Sequence, residues 1–131
     1  MFNPSKKLVV DCYADADLAG RWEPDNPHDH ICDTSRTVFV VTFSNGPLLW
    51  VSKLQTYIAL YTLHSEYMAL SYSVRALLLL KSLIKEVIDN LGIDSEKLKF
   101  VSSSTIYEEN NGAIGVATSP RMTTTSKHIA V

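Results

Sequence analysis

Two hydrophobic periods divide the chain. Residues 7–13 and 37–43 are dense in β-branched and aromatic side chains, among them Val9, Val10 and Tyr13, then Val38, Phe39, Val40 and Val41. Both stretches predict β-strands. Between them, residues 21–35 hold Pro24, Asp25, Asn26, Pro27 and Asp29, turn formers that predict a loop. After the second strand comes Ser44-Asn45-Gly46-Pro47, where Asn and Gly accept the positive φ angles of a tight hairpin turn. Residues 48–52 then return as a third strand, running on toward Ile58-Ala59-Leu60. The first half therefore reads as a three-stranded antiparallel meander.

From about Leu63 the period lengthens. Leu70, Val74, Leu77, Ile84, Ile88 and Leu91 recur three, four or seven apart and predict the buried face of a long helix. Leu80, Leu83 and Val87 lie off that stripe, so the helix carries more apolar surface than one sheet face covers. Gly92 stands where a helix-ending glycine belongs. Residues 94–99 read as a polar connector, and residues 100–107 as a fourth strand interrupted by Ser102-Ser103-Ser104. Residues 110–117 predict a short second helix, and residues 118–127 a loop. No repeat or linker divides the chain, so residues 1–131 read as a single domain of mixed α/β class.

Composition narrows the function classes. At 46% hydrophobic and 20% charged residues, the chain is globular and not disordered. The leucines Leu77 to Leu80 are flanked by Arg75 and Lys81, which argues against a span of ~20 apolar residues and so against a membrane partner. Residues 1–7 lack the apolar core of a secretory signal, and Cys12 and Cys32 form no disulfide framework, so the expected setting is intracellular. The net charge of −2 shows no global attraction to nucleic acid; any grip on phosphates has to be local.

Against that neutral background, three acidic clusters stand out: Asp15 with Asp17, then Glu66, then Glu108 with Glu109. They fall at predicted strand ends and at the head of the long helix, where residues far apart in sequence can converge. Oxygen-only ligands of this kind suit hard divalent cations such as Mg²⁺. Ordinary surface acids at loops and helix starts are the competing reading.

Specific strings sharpen the picture. Tyr13-Ala14-Asp15-Ala16-Asp17-Leu18-Ala19-Gly20 resembles the Y-S-D-A-D-W-A-G opening of the ribonuclease H domain in copia-type retrotransposon Pol polyproteins. Ser35-Arg36-Thr37 with Val38-Phe39-Val40 is similar to its second strand, and Leu49-Trp50-Val51-Ser52-Lys53-Leu54-Gln55 to its W-x-S-K-K/L-Q element. Ser65-Glu66-Tyr67-Met68-Ala69-Leu70 resembles A-E-Y-M-A-L. Tyr107-Glu108-Glu109-Asn110-Asn111-Gly112-Ala113-Ile114 resembles Y-x-D-N-Q/N-x-A-I, and Thr125-Ser126-Lys127-His128-Ile129 resembles R/T-S/T-K-H-I. Six collinear motifs are far more specific than one.

The resemblance implies a ribonuclease H-like fold whose last strand and helix are missing here. It implies hydrolysis of the RNA strand of an RNA–DNA hybrid by two Mg²⁺ (or Mn²⁺) ions ~4 Å apart. By the same resemblance, Asp15, Glu66 and Glu109 are the catalytic and metal-binding carboxylates. Glu109 stands where the family has aspartate, and a fourth acid lies beyond Val131 in the family, so the second metal is doubtful and activity is expected to be impaired. The reverse transcriptase part of the polyprotein is an expected partner, and self-association through the long helix a further expectation.

Asn110, Asn111, Lys53, Arg36 and His128 are the candidate nucleic-acid contacts. Asn110 and Asn111 either bond RNA 2′-hydroxyls or cap the short helix; Lys53 and Arg36 either meet phosphates or stay solvated. His128 either contacts a phosphate or is a frayed terminal residue. Trp50 reads as core packing, with groove stacking as its alternative. His28, His30 and Cys32 resemble a zinc clip superficially, but a proline-rich loop is the simpler reading. Two rival functions remain: a nucleic-acid-binding module without chemistry, and a transposon remnant without a role.

Overall fold

The computed structural model describes residues 8–20, 33–92 and 103–119. It holds strands β1 (Val10–Asp17), β2 (Arg36–Phe43) and β3 (Gly46–Leu54), helix α1 (Thr62–Asn90), strand β4 (Ile106–Tyr107) and helix α2 (Asn111–Thr118). The four strands form one sheet in the order β3-β2-β1-β4. β1 and β2 pair antiparallel, as do β2 and β3, whereas β4 runs parallel to β1. The chain is thus mixed α/β, with the expected meander, long helix and short helix; of the strand expected over residues 100–107, only Ile106–Tyr107 form it among the described residues.

α1 lies on one face of the sheet because that face is apolar. Val10, Cys12, Ala14, Phe39, Val41 and Leu77 form the core, with Tyr72, Leu80, Ile84 and Ile106 packed against it. Along β1 the inward residues are small: Cys12, Ala14 and Ala16. Ser65, Ala69 and Ser73 of α1 are completely buried, so two surfaces of small side chains meet and the helix approaches the sheet closely. Burial pushes the Cys12 thiol up, and a hydrogen bond with Ser73 partly offsets this. The opposite face has no helix on it among the described residues. Tyr13, Val40, Trp50 and Tyr107 form one cross-strand row there, and the Tyr13 and Tyr107 rings stack 4.6 Å apart.

Several expectations shift. β1 runs to Asp17 rather than Tyr13, because the in–out alternation continues through Ala14 and Ala16 while the acids face outward. The hairpin turn uses Ser44 and Asn45, both at positive φ, the primed geometry that matches strand twist; Gly46 already pairs with Phe43. No strand continues to residues 58–60. Trp50 is 70% exposed, so it is not core. Leu80 packs on the core cluster, whereas Leu91 is exposed, the reverse of the predicted stripe. Gly92 does end α1 in the left-handed region, its amide bonding the Asp89 carbonyl. By length and hydropathy α1 also meets the test for a membrane span, which its flanking charges had argued against. Ala69, Leu70, Ser73 and Leu77 pack it on the sheet, while Leu78, Leu79, Leu83 and Val87 are exposed. The loop at residues 21–32, including His28, His30 and Cys32, and the segment with His128 lie outside the described residues.

Candidate metal centre

Asp15 projects from the open face of β1, one alternation beyond Tyr13. β4 pairs with β1 only at Cys12 and Tyr13, so the chain leaves the sheet directly after Tyr107 and delivers Glu108 and Glu109 beside Asp15. These residues, with Tyr13, Ala14, Ile106 and Tyr107, line a cleft of about 500 Å³. The pairing is anchored beneath: Cys12 donates its amide to the Thr105 carbonyl, and the Thr105 amide donates to Asp11 Oδ1.

Glu66 enters from α1. It is the fifth residue of the helix, in the second turn rather than the first, and only 4% exposed. Because β4 stops so early, the Ala16 amide is left free to donate to the Glu66 carboxylate. The other oxygen, Oε2, has no hydrogen-bond partner. Burial, followed by the negative fields of Glu108, Asp15 and Glu109, pushes its pKa up to about 7, with the Ala16 bond opposing. Glu108 is half-buried and its pKa is also raised, first by burial and then, against the Asn110 amide bond that lowers it, by Asp15. Its Oε1 accepts the Asn110 amide at 3.0 Å, while Oε2 is unpartnered.

The fold thus places Asp15, Glu66 and Glu109 in one electrostatic neighbourhood and adds Glu108. Sequence reasoning passed over Glu108 because the motif register assigned the role to Glu109, which is exposed; the hydrophobic Ile106 two positions before Glu108 was the available signal of its burial. Among the described residues no three acids, histidines or cysteines stand close enough to hold one ion, so the carboxylates would have to close in. Glu66 and Glu108 each keep one buried oxygen without a partner, the donor type that a hard divalent cation takes.

The other candidates separate. Asn110 caps α2: its Oδ1 accepts the Ala113 amide at 3.0 Å, and its backbone amide serves Glu108. Asn111 is exposed at the first turn of α2. Gly112 allows α2 to sit against α1, since a Cβ there would stand 3.0 Å from Leu63 Cδ1. Arg36 Nη1 donates to Ser52 Oγ at 3.3 Å, at the edge of the open face. Lys53 lies on the α1 side, its Nζ 3.7 Å from the Tyr72 ring centroid.

No family model matches the chain, and no solved structure matches it. The sequence is 31% identical over 123 residues to the retrovirus-related Pol polyprotein from transposon TNT 1-94 of Nicotiana tabacum; the match covers 94% of this chain. The chain spans only 8% of that relative's length. Over nearly all its residues, then, this chain is similar to one segment of a retrotransposon Pol polyprotein.

Proposed function

We propose that the chain is a ribonuclease H-like domain of copia type, built to hydrolyse the RNA strand of RNA–DNA hybrids and impaired in that reaction. The observation that carries the reading is Glu66: a buried carboxylate with an unpartnered oxygen, in the field of three acids at the ends of two parallel strands. The similarity to a Pol polyprotein supports the substrate class.

Asp15, Glu66, Glu109 and Glu108 would hold the divalent cations. When bound, such ions activate the attacking water and stabilise the departing 3′ oxygen. The residues themselves do three things. Asp15 presents its carboxylate on the open face, where a duplex can approach. Glu66, held by the Ala16 amide, stands behind the residues that line the cleft and keeps one buried oxygen without a partner. Glu108, tied to the Asn110 amide, lines the cleft and keeps a second oxygen unpartnered. Glutamate at 109 sets its carboxylate about 1.5 Å farther out than aspartate, and misplacements of that order cost ~100-fold in rate.

The test is cleavage of an end-labelled RNA–DNA hybrid. Slow RNA-strand cleavage, faster in Mn²⁺ than in Mg²⁺ and lost in Asp15→Asn, is expected. Cleavage indifferent to Asp15→Asn would overturn the reading. Among the described residues no three acids stand at ligand spacing, which favours one rival, a hybrid-binding module without chemistry. Salt-dependent hybrid binding with no cleavage in either metal would select it.

A further inference from the structure

A second cleft, of about 400 Å³, opens on the other flank of α1, between the helix and the end of β3. Its lining carries Lys53, Arg75, Thr37, Thr56, Tyr57 and Tyr72 and contains no acid. In a chain of net charge −2, this is the opposite of the first cleft. Lys53 and Arg75 converge on a single ring: Lys53 Nζ lies 3.7 Å and the Arg75 guanidinium carbon 5.8 Å from the Tyr72 centroid. Among the described residues neither cation has a carboxylate partner; Arg75 Nε donates only to the Ser71 carbonyl.

Two like charges gathered over one ring repel each other, and the ring's negative face offsets only part of that. An anion seated between them would offset the rest. Thr37 Oγ1 accepts from Gln55 Nε2 at 3.1 Å, which leaves its own hydrogen to donate. Tyr72 is fixed from beneath by Phe39, 5.7 Å away between ring centroids, so the cations rest on a platform anchored in the core. Tyr57, 71% exposed, adds an aromatic surface at the rim.

We infer that this cleft is an anion site that holds a backbone phosphodiester of the bound nucleic acid. The inference rests on the reading of the chain as a hybrid-binding domain. Glu66 and Arg75 are nine residues apart on α1, about 13 Å along the axis and half a turn apart around it, so this cleft would hold a stretch of the nucleic-acid backbone other than the one at the acidic cleft.

The test uses the full chain and a fluorescein-labelled RNA–DNA hybrid, titrated by anisotropy in EDTA over a range of salt. Working in EDTA removes any metal from the acidic cleft. Arg75→Gln and Lys53→Gln are each expected to weaken binding and to reduce the slope of log affinity against log salt by about 1. Lys53→Arg should keep the slope of the parent. Arg75 is exposed, so its substitution tests the cleft even if Lys53→Gln disturbs β3. Unchanged affinity and slope in Arg75→Gln, or no hybrid binding by the parent, would overturn the inference. Failure of Mn²⁺ uptake, measured separately, would count against the acidic centre alone.

Discussion

Glu66 ties the fold to the chemistry. Its pKa lies near 7, above the ~4.3 of an unfolded glutamate. Below about pH 4 the group is protonated in both states and its burial costs little. As pH rises toward 7 the unfolded chain ionises first, so stability falls, by at most about 1.4 kcal/mol per pH unit for this group. The raised Glu108 acts in the same direction. In EDTA, Glu66→Gln should therefore raise the melting temperature at pH 8 and lose that advantage toward pH 4. A pH-independent difference between the two proteins would count against the acidic cluster as the cause. A second comparison separates the neighbouring glutamates: Glu108→Gln should weaken Mn²⁺ binding more than Glu109→Gln, because Glu108 carries the orphaned, shielded oxygen. Calorimetric titration of both variants checks the order. Position 108 was visible in the sequence as an acid, but burial, which separates it from Glu109, depends on where β4 stops, and two strand residues leave little pattern.

At the scale of elements, α1 shows what periodicity can and cannot locate. Leu70, Leu77 and Ile88 are buried as their spacing requires. The closest packing, however, runs through Ser65, Ala69 and Ser73, which no hydrophobic count marks. That small-residue stripe brings the helix near enough for Glu66 to reach β1. On the outer side, Leu79, Leu83, Val87 and Leu91 recur every four residues, each at least half exposed. Full exposure of such a side chain forgoes ~1.5–3 kcal/mol and half exposure about half of that, and a patch of this kind promotes association. We expect Leu83→Lys to reduce self-association in analytical ultracentrifugation without lowering the melting temperature. Leu80→Lys, by contrast, should destabilise the fold, since Leu80 packs on the core. A destabilised Leu83→Lys would mean that this side of the helix is covered.

Across the whole molecule, charge is segregated around one helix. An acidic cleft lies where β1 and β4 end, and a basic, aromatic cleft lies between β3 and the same helix. The meander and the long helix were legible because alternation, a 3.6-residue period and a turn signal each act locally; the fourth strand, expected over residues 100–107, was not, since its two residues and its parallel pairing depend on β1. Nor was the open sheet face. Trp50 alternates like a core residue, and only the placement of α1 on the opposite face leaves it in solvent. The most direct test of the account is Mn²⁺ uptake by the intact chain, followed by electron paramagnetic resonance at neutral pH, in the parent, Asp15→Asn and Glu66→Gln. The account predicts saturable uptake by the parent and its loss in both variants, each of which remains folded. Equal uptake by all three proteins, or none by the parent, would contradict it.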